Sequence, residues 1–426
     1  MKKFPFAILA SLVLCISSFA QHSFIKIEDG KFIRNGKPYH YVGTNYWYGA
    51  LLGIGTANQK RLINELDQLK SLGIENLRVL VGAEGGTDDF TVREALQPNQ
   101  GKYNEKYLKG LDFLMSELGK RNMTAVLYLT NNWEWSGGLA QYLEWNGKGE
   151  IPNPNIPPNT WPQFMEYTSK FHNCEPCKTA FAKYVTFILK RTNSITGKKY
   201  TNDPSIFAWE VANEPRVFTK ENEKAFTSWI NDVVSLIDKL DSNHLITTGS
   251  EGKAGSNDDL ETFERTHNNP KIDYLTMHIW PKNWGWYSSS DEEKTTPIAI
   301  EKTMNYIDEH IKVAQRLNKP IVLEEFGFPR SMESLDRNSS TKYRDAFYEA
   351  VLQRMLTAIE KNEPFVALNF WGYGGYGKND PDNGKWNIGN DYTTDPPQEP
   401  QGLNSVFAEE TTTLNLLKNY IEKLNQ

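Results

Sequence analysis

The stretch IFAWEVANEPR, residues 206–216, decides how this 426-residue chain is read. Its first half is a run of β-formers of the kind found in strands buried on both faces. Its second half places Asn213, Glu214 and Pro215 where that strand must stop, because proline offers no ladder donor. An ionisable group at the C-terminal end of a buried parallel strand is where α/β barrels keep their chemistry. The stretch is therefore a functional strand end if the rest of the chain supplies a barrel.

Working outward, seven further runs have the same character: YHYVGTN from Tyr39, IENLRVL from Ile74, TAVLYLTNN from Thr124, HLITTGSEG from His244, IDYLTMHIW from Ile272, PIVLEEFG from Pro320 and PFVALNFWG from Pro364. Between them lie helical spacings. Leu62, Ile63, Leu66 and Leu69 make one, ended by Gly73; Leu108, Leu111, Met115 and Leu118 make the next. Phe181, Tyr184, Val185 and Ile188 form a third, and Phe226, Trp229, Ile230, Val233 and Ile237 a fourth. Further patterns run over residues 300–317 and 343–359. Eight strands alternating with helices predict a closed (β/α)8 TIM barrel in one domain. An open dinucleotide-binding sheet is disfavoured, since no G-x-G-x-x-G follows the first strand.

Polar residues then fall at the strand ends: Asn45, Arg78, Asn131, Asn132, Asn213, Glu214, Glu251, His278, Glu325 and Trp371. Glu214 and Glu325 are far apart in sequence, yet a barrel brings both to one rim. Two facing carboxyls suit glycoside hydrolysis, in which one protonates the leaving oxygen and the other attacks the anomeric carbon. Strand alternation points Glu324 and Glu325 to opposite faces, so one of them is expected to face the rim centre.

Composition agrees with a sugar ligand. A formal charge of −6 argues against a nucleic-acid partner, and 12 Trp with 20 Tyr supply flat apolar faces for pyranose rings, although part of them are core filler. Residues 1–20 look like an export signal: Lys2 and Lys3, an apolar run from Phe4 to Ile16, and Ser18-Phe19-Ala20 before Gln21. The mature domain is expected at 21–426, secreted or periplasmic, with no membrane span and as a monomer. Cys15 follows Leu14 where a lipoprotein signal wants a small residue, so an outer-membrane lipoprotein is the weaker alternative. Cys174 and Cys177 (HNCEPCK) are expected to form a local disulfide rather than half a zinc site, since no second pair exists. The run NDPDNG, from Asn379, misses the EF-hand spacing and is expected to be a solvated loop. No metal and no cofactor are implied.

Read together, GTNYWYGA, NLRV, NNWEWSGG, WEVANEPR, HIWPKNWGW, LEEFG, NFWGYGG and DPPQEPQGLNSVF resemble glycoside hydrolase family 5, in its mannanase branch, over nearly all of residues 21–426. The resemblance implies Glu214 as acid/base and Glu325 as nucleophile. It further implies Asn213 at the sugar 2-hydroxyl, Arg78 holding the nucleophile ionised, and His278 within the site. Trp371 would be the platform under the sugar being cut, Arg216 a leaving-group contact, and Trp133 and Trp135 glycone-side stacking residues, unless they are lid packing. Trp47 and Trp280 complete the expected substrate-binding set, and Trp280 stands where many relatives carry a tyrosine. Leu403-Asn404 likewise stands where many relatives carry Trp-Tyr or Trp-Asn. The implied activity is retaining, endo-acting hydrolysis of β-1,4-mannan; an exo-β-mannosidase, a β-1,4-glucanase and a non-catalytic carbohydrate-binding protein are the alternatives.

Overall fold

The computed structural model describes residues 23–86 and 90–424, so the export signal expected at 1–20, with Cys15, lies outside the described residues. Eight strands run parallel: β1 (Tyr41–Asn45), β2 (Asn76–Leu80), β3 (Thr124–Tyr128), β4 (Ile206–Glu210), β5 (Leu245–Thr247), β6 (Leu275–Ile279), β7 (Ile321–Phe326) and β8 (Phe365–Phe370). Their ladder order is β5-β4-β3-β2-β1-β8-β7-β6. The ring is completed between β5 and β6, where the Asp273 amide donates to Ile246 O (2.8 Å) and the His278 amide to Glu251 O (3.1 Å). All eight strands are buried along their whole length, which is why their sequences read as continuous apolar runs.

A principal helix follows each strand: α1 (Thr56–Leu72), α2 (Glu105–Arg121), α3 (Glu175–Leu189), α4 (Glu223–Leu240), α5 (Leu260–His267), α6 (Glu292–Leu317), α7 (Lys342–Glu360) and α8 (Thr411–Leu424). The predicted helix stripes are buried, with Ile63 half-buried beside them. Gly73 ends α1 in the left-handed region, φ 82°, a conformation that costs a glycine nothing.

A small antiparallel sheet, Lys26–Glu28, Lys31–Arg34 and Lys37–Pro38, covers the N-terminal mouth of the barrel. Its Phe32 packs edge-on against Phe207 and Tyr274, with ring centroids 5.2 and 5.3 Å apart. The opposite mouth is built by long loops: that after β3 carries two short helices, Gly138–Trp145 and Trp161–Ser169, and the Cys174–Cys177 disulfide. The loop of residues 379–384 folds on itself, with the Asp380 carboxylate accepting from the Asp382 amide at 3.1 Å.

Candidate active site

The β4 ladder ends at Glu210, four residues short of Glu214, so the opening stretch is a strand followed by a built turn. Backbone bonds to both neighbours fix that turn: the Asn213 amide donates to Thr130 O (2.8 Å) and the Glu214 amide to Gly249 O (3.0 Å). Glu214 is held at φ +50°, an uncommon conformation for a glutamate and of a kind that concentrates at functional sites. Gly249 is required here, because a Cβ would lie 2.1 Å from the Glu210 carboxylate and 2.0 Å from Ala212 O.

Glu325 arrives from inside β7. Pairing with β6 shifts register between Leu323 and Glu325, which alters the simple alternation expected of Glu324 and Glu325. Both carboxyls reach the barrel interior, at different depths. Glu325 lines the open cavity, and Glu324 lies fully buried, 3.6 Å from Arg78 Nε.

Arg78, from β2, is the hub. Its Nε and Nη2 donate to the two Glu210 carboxylate oxygens at 2.9 and 2.5 Å. Nη2 also donates to Asn213 Oδ1 at 2.8 Å, and Nη1 donates to Asn45 Oδ1 at 3.1 Å and to Glu325 Oε1. The guanidinium lies over the Tyr128 ring and has no exposure, so it acts on a ligand only through its partners.

His278, likewise buried, brings Nδ1 to 2.8 Å from Glu214 Oε1 and 3.4 Å from Glu325 Oε2. Oxygens of Glu214 and Glu325 and a nitrogen of His278 all lie within 4.8 Å of one another. Such a trio has the spacing of metal ligands, but the guanidinium seated on Glu325 already supplies the positive charge an ion would bring. Each carboxyl also has an indole donor. Trp133 Nε1 donates to Glu214 Oε2 at 2.5 Å, and Trp280 Nε1 donates to Glu325 Oε2 at 3.2 Å.

Burial pushes Glu214 above the ordinary carboxyl range, against the pull of Arg216 and the Trp133 hydrogen bond. Glu325 is pushed up by burial and by the Glu214 charge, while Arg78 pulls it down. Two like groups this close titrate as a pair, holding one proton between the loss of the first and the loss of the second. The direct Arg78 contact favours the charge on Glu325 and the proton on Glu214. Burial pushes His278 down to about 4, so its ring is neutral.

The cavity above the pair has a volume of about 530 Å³. Of the residues expected from sequence, Asn213, Glu214, Arg216, Glu325, Trp133, Trp135, Trp280 and Trp371 line it. Trp371 meets Trp280 edge-on, ring centroids 5.6 Å apart. Arg78 and His278 lie beneath. Trp47 is fully buried behind the cavity, its indole donating to Thr394 O at 2.6 Å and its ring 5.2 Å from that of Trp135. It thus supports Trp135 and has no open face for a ligand. Trp133 lies under the Arg216 guanidinium at 4.7 Å and donates its indole N–H to Glu214.

Arg216 itself forks onto Glu251, Nε and Nη2 donating at 2.6 and 2.7 Å. Sequence reasoning assigned no role to other residues that loops bring to the rim: Asn155, Trp161 and Met165 after β3, Lys282 to Trp284 after β6, and Pro396, Gln398, Glu399 and Pro400 after β8. Loop residues have no period; their signals were the aromatic excess and the motifs HIWPKNWGW and DPPQEPQGLNSVF.

A model of the glycoside hydrolase family 5 β-mannosidase-like family matches residues 22–426. A crystal structure titled as a glycoside hydrolase family 5 mannosidase, from Rhizomucor miehei, superposes with a TM-score of 0.87 at 34% identity, covering 95% of this chain and 98% of that one. The mannan endo-1,4-β-mannosidase 1 of Oryza sativa subsp. japonica is 28% identical over 365 residues, 82% of this chain and 78% of that protein. An endo-β-1,4-mannanase from Thermotoga petrophila, 23% identical with a TM-score of 0.67, shares the fold.

Proposed function

Because the chain belongs to the glycoside hydrolase family 5 β-mannosidase-like family, we propose that it hydrolyses β-1,4-mannosidic bonds in mannan, glucomannan or galactomannan, cutting within the chain and retaining configuration. The observation that carries the reading is the buried Glu214–Glu325 pair, with oxygens within 4.8 Å, one carboxyl on a guanidinium and both on indole donors. Retaining enzymes hold their carboxyls about 5 to 5.5 Å apart, whereas inverting ones leave roughly 6.5 to 9.5 Å for a water.

In this reading Glu325, ionised on Arg78, attacks the anomeric carbon from below. Glu214 gives its proton to the departing oxygen, then takes one from the water that releases the glycosyl-enzyme ester. Trp371 forms the platform for the sugar being cut. Asn213, with its Oδ1 on Arg78 and its Nδ2 donating to Asn131 Oδ1 at 3.0 Å, is oriented for the sugar 2-hydroxyl. Mannose carries that hydroxyl axially, and a site built to pair it penalises the glucose epimer. Arg216 and the tryptophan-rich rim of Trp133, Trp135, Trp280 and Trp371 support occupied subsites on both sides of the cut and hence internal cleavage.

The sugar and linkage come from the names of the relatives. One observation favours an exo-acting variant: the loops bearing Trp161, Lys282 and Glu399 wall the cavity. Following viscosity and reducing ends together on soluble galactomannan separates the two modes. Internal cleavage drops viscosity early; mannose as sole early product at steady viscosity would replace endo with exo. The same reading takes residues 1–20 as an export signal and the working protein as a secreted or periplasmic monomer starting at Gln21, checked by mass measurement of the exported chain.

A further inference from the structure

Beneath the Glu214–Glu325 pair lies a second pair of carboxyls that the mechanism above does not use. Glu210, from β4, and Glu324, from β7, are fully buried, and Oε2 of Glu324 has no hydrogen-bond partner. A fully buried carboxyl with an unpaired oxygen is costly to ionise, which favours a proton on Glu324. Arg78 separates the two pairs. It grips Glu210 with two donors, stands 3.6 Å from Glu324, and gives Nη1 to Glu325. One cation thus faces three buried acids.

The other groups around the lower pair do not balance the charge. Tyr41, before Val42 on β1, and Tyr128 on β3 are neutral phenols kept so by burial. Tyr274, just before β6, brings its hydroxyl to Glu324 Oε1 at 3.4 Å, and His278 brings Nε2 to 3.9 Å from Glu324 Oε2. Glu214 lies above and adds a negative field once it has lost its proton. Arg78 is the cation in contact, and ionising Glu210, Glu324 and Glu325 together would leave two uncompensated charges in a sealed barrel.

We propose that Glu210 and Glu324 hold one proton as a pair, on Glu324, with Glu210 carrying the charge, and that this pair acts as a positioning element which divides the field of Arg78 between itself and Glu325. Which member is ionised follows from geometry: Glu210 accepts the guanidinium fork, and Glu324 does not. The consequence for the reaction is a nucleophile whose charge is only partly neutralised. A carboxylate alone with the whole guanidinium would be held ionised to lower pH and would be a poorer nucleophile. The proposal rests on the reading of Glu325 as nucleophile only for that consequence; the proton on Glu324 stands independently of it.

Burial together with the Glu210 charge pushes Glu324 up to about 6, so the proton is sought at pH 5. The infrared spectrum of the intact protein at that pH should contain a protonated-carboxyl band that E324Q abolishes and E214Q leaves in place. A spectrum unchanged by E324Q would overturn the proton on Glu324. The second arm is the pH dependence of kcat/KM on a linear manno-oligosaccharide. E210Q frees Arg78 for Glu325 and should move the acidic limb down by about one pH unit with a fall in kcat. E324Q replaces a protonated group by its neutral isostere and should move the limb less than a third as far. Equal shifts in both variants would mean that both acids are ionised in the native protein. An unmoved limb in folded E210Q would remove the coupling through Arg78. Absence of activity on mannan in the native protein would count against the proposed function while the infrared result is still read.

Discussion

Replacing Arg78 by alanine should lift the acidic limb of kcat/KM by about two to three pH units. The guanidinium is without exposure and touches Glu325 directly, so the magnitude follows from one unit charge at contact range. At about 4 Å and an effective dielectric of about 20 the interaction is worth roughly 4 kcal/mol. At about 1.36 kcal/mol per pKa unit that is near three units, and water entering the vacated space reduces it toward two. At pH 5 the variant would therefore lose about a hundredfold in kcat/KM, and much less above neutrality. The fold would weaken as well, by about 3 to 5 kcal/mol, because Glu210 loses both donors of its fork. Circular dichroism and thermal melts establish that the assayed protein is folded. Arg78→Lys retains the charge but not the planar fork, and its limb should fall between the two. The assay is initial rates from pH 3.5 to 9 on a soluble manno-oligosaccharide. A folded Arg78→Ala enzyme with its acidic limb unmoved would refute the assignment of Arg78 to the charge on Glu325.

Glu325→Ala should abolish turnover on every substrate. Glu214→Ala should spare the first step for an aryl β-mannoside with a good leaving group, which needs no proton, and stopped-flow bursts of the phenol measure it. Glu84 is buried among Thr130 and Gly138, and burial raises it from 4.5 to about 8. A raised folded-state value means that its contribution to stability is fully present below about 4.5 and is lost as pH rises toward 8. Glu84→Gln should thus flatten the decline across that window by an amount on the order of 4 kcal/mol, read from denaturant midpoints at pH 5 and 8. Removing the disulfide with Cys174→Ser and Cys177→Ser should cost no more than about 2 kcal/mol, because the bridged residues are only three apart, and should leave kcat unchanged.

The barrel was legible because its strands are buried on both faces and its helices on one, and those two conditions write different periods. Phe226, Trp229, Ile230, Val233 and Ile237 form the buried stripe of α4, as their spacing indicates. Helix α5 escaped, being eight residues long with only Thr262, Phe263, Thr266 and His267 buried, although Asp259 caps it by accepting from the Glu261 amide. The sheet over the N-terminal mouth was missed despite two hairpin signals, Asp29-Gly30 and Asn35-Gly36, all four residues at positive φ. In the site, Glu214, Glu325 and Arg78 were legible because each is an ionisable group inside or just after an apolar strand run. The depth of Glu324 was not, since a register shift in β7 is a property of pairing that no local pattern records. Trp47 shows the converse limit: its motif marks the site, but only packing against Trp135 and the bond to Thr394 reveal it as support.

Time-resolved proton NMR of a linear manno-oligosaccharide during cleavage tests the two-carboxyl mechanism most directly. A pair this close leaves no room for an attacking water opposite the leaving group, so the β-anomer of the new reducing end should appear first and the α-anomer later, by mutarotation. An α-anomer appearing first would contradict the mechanism at its root.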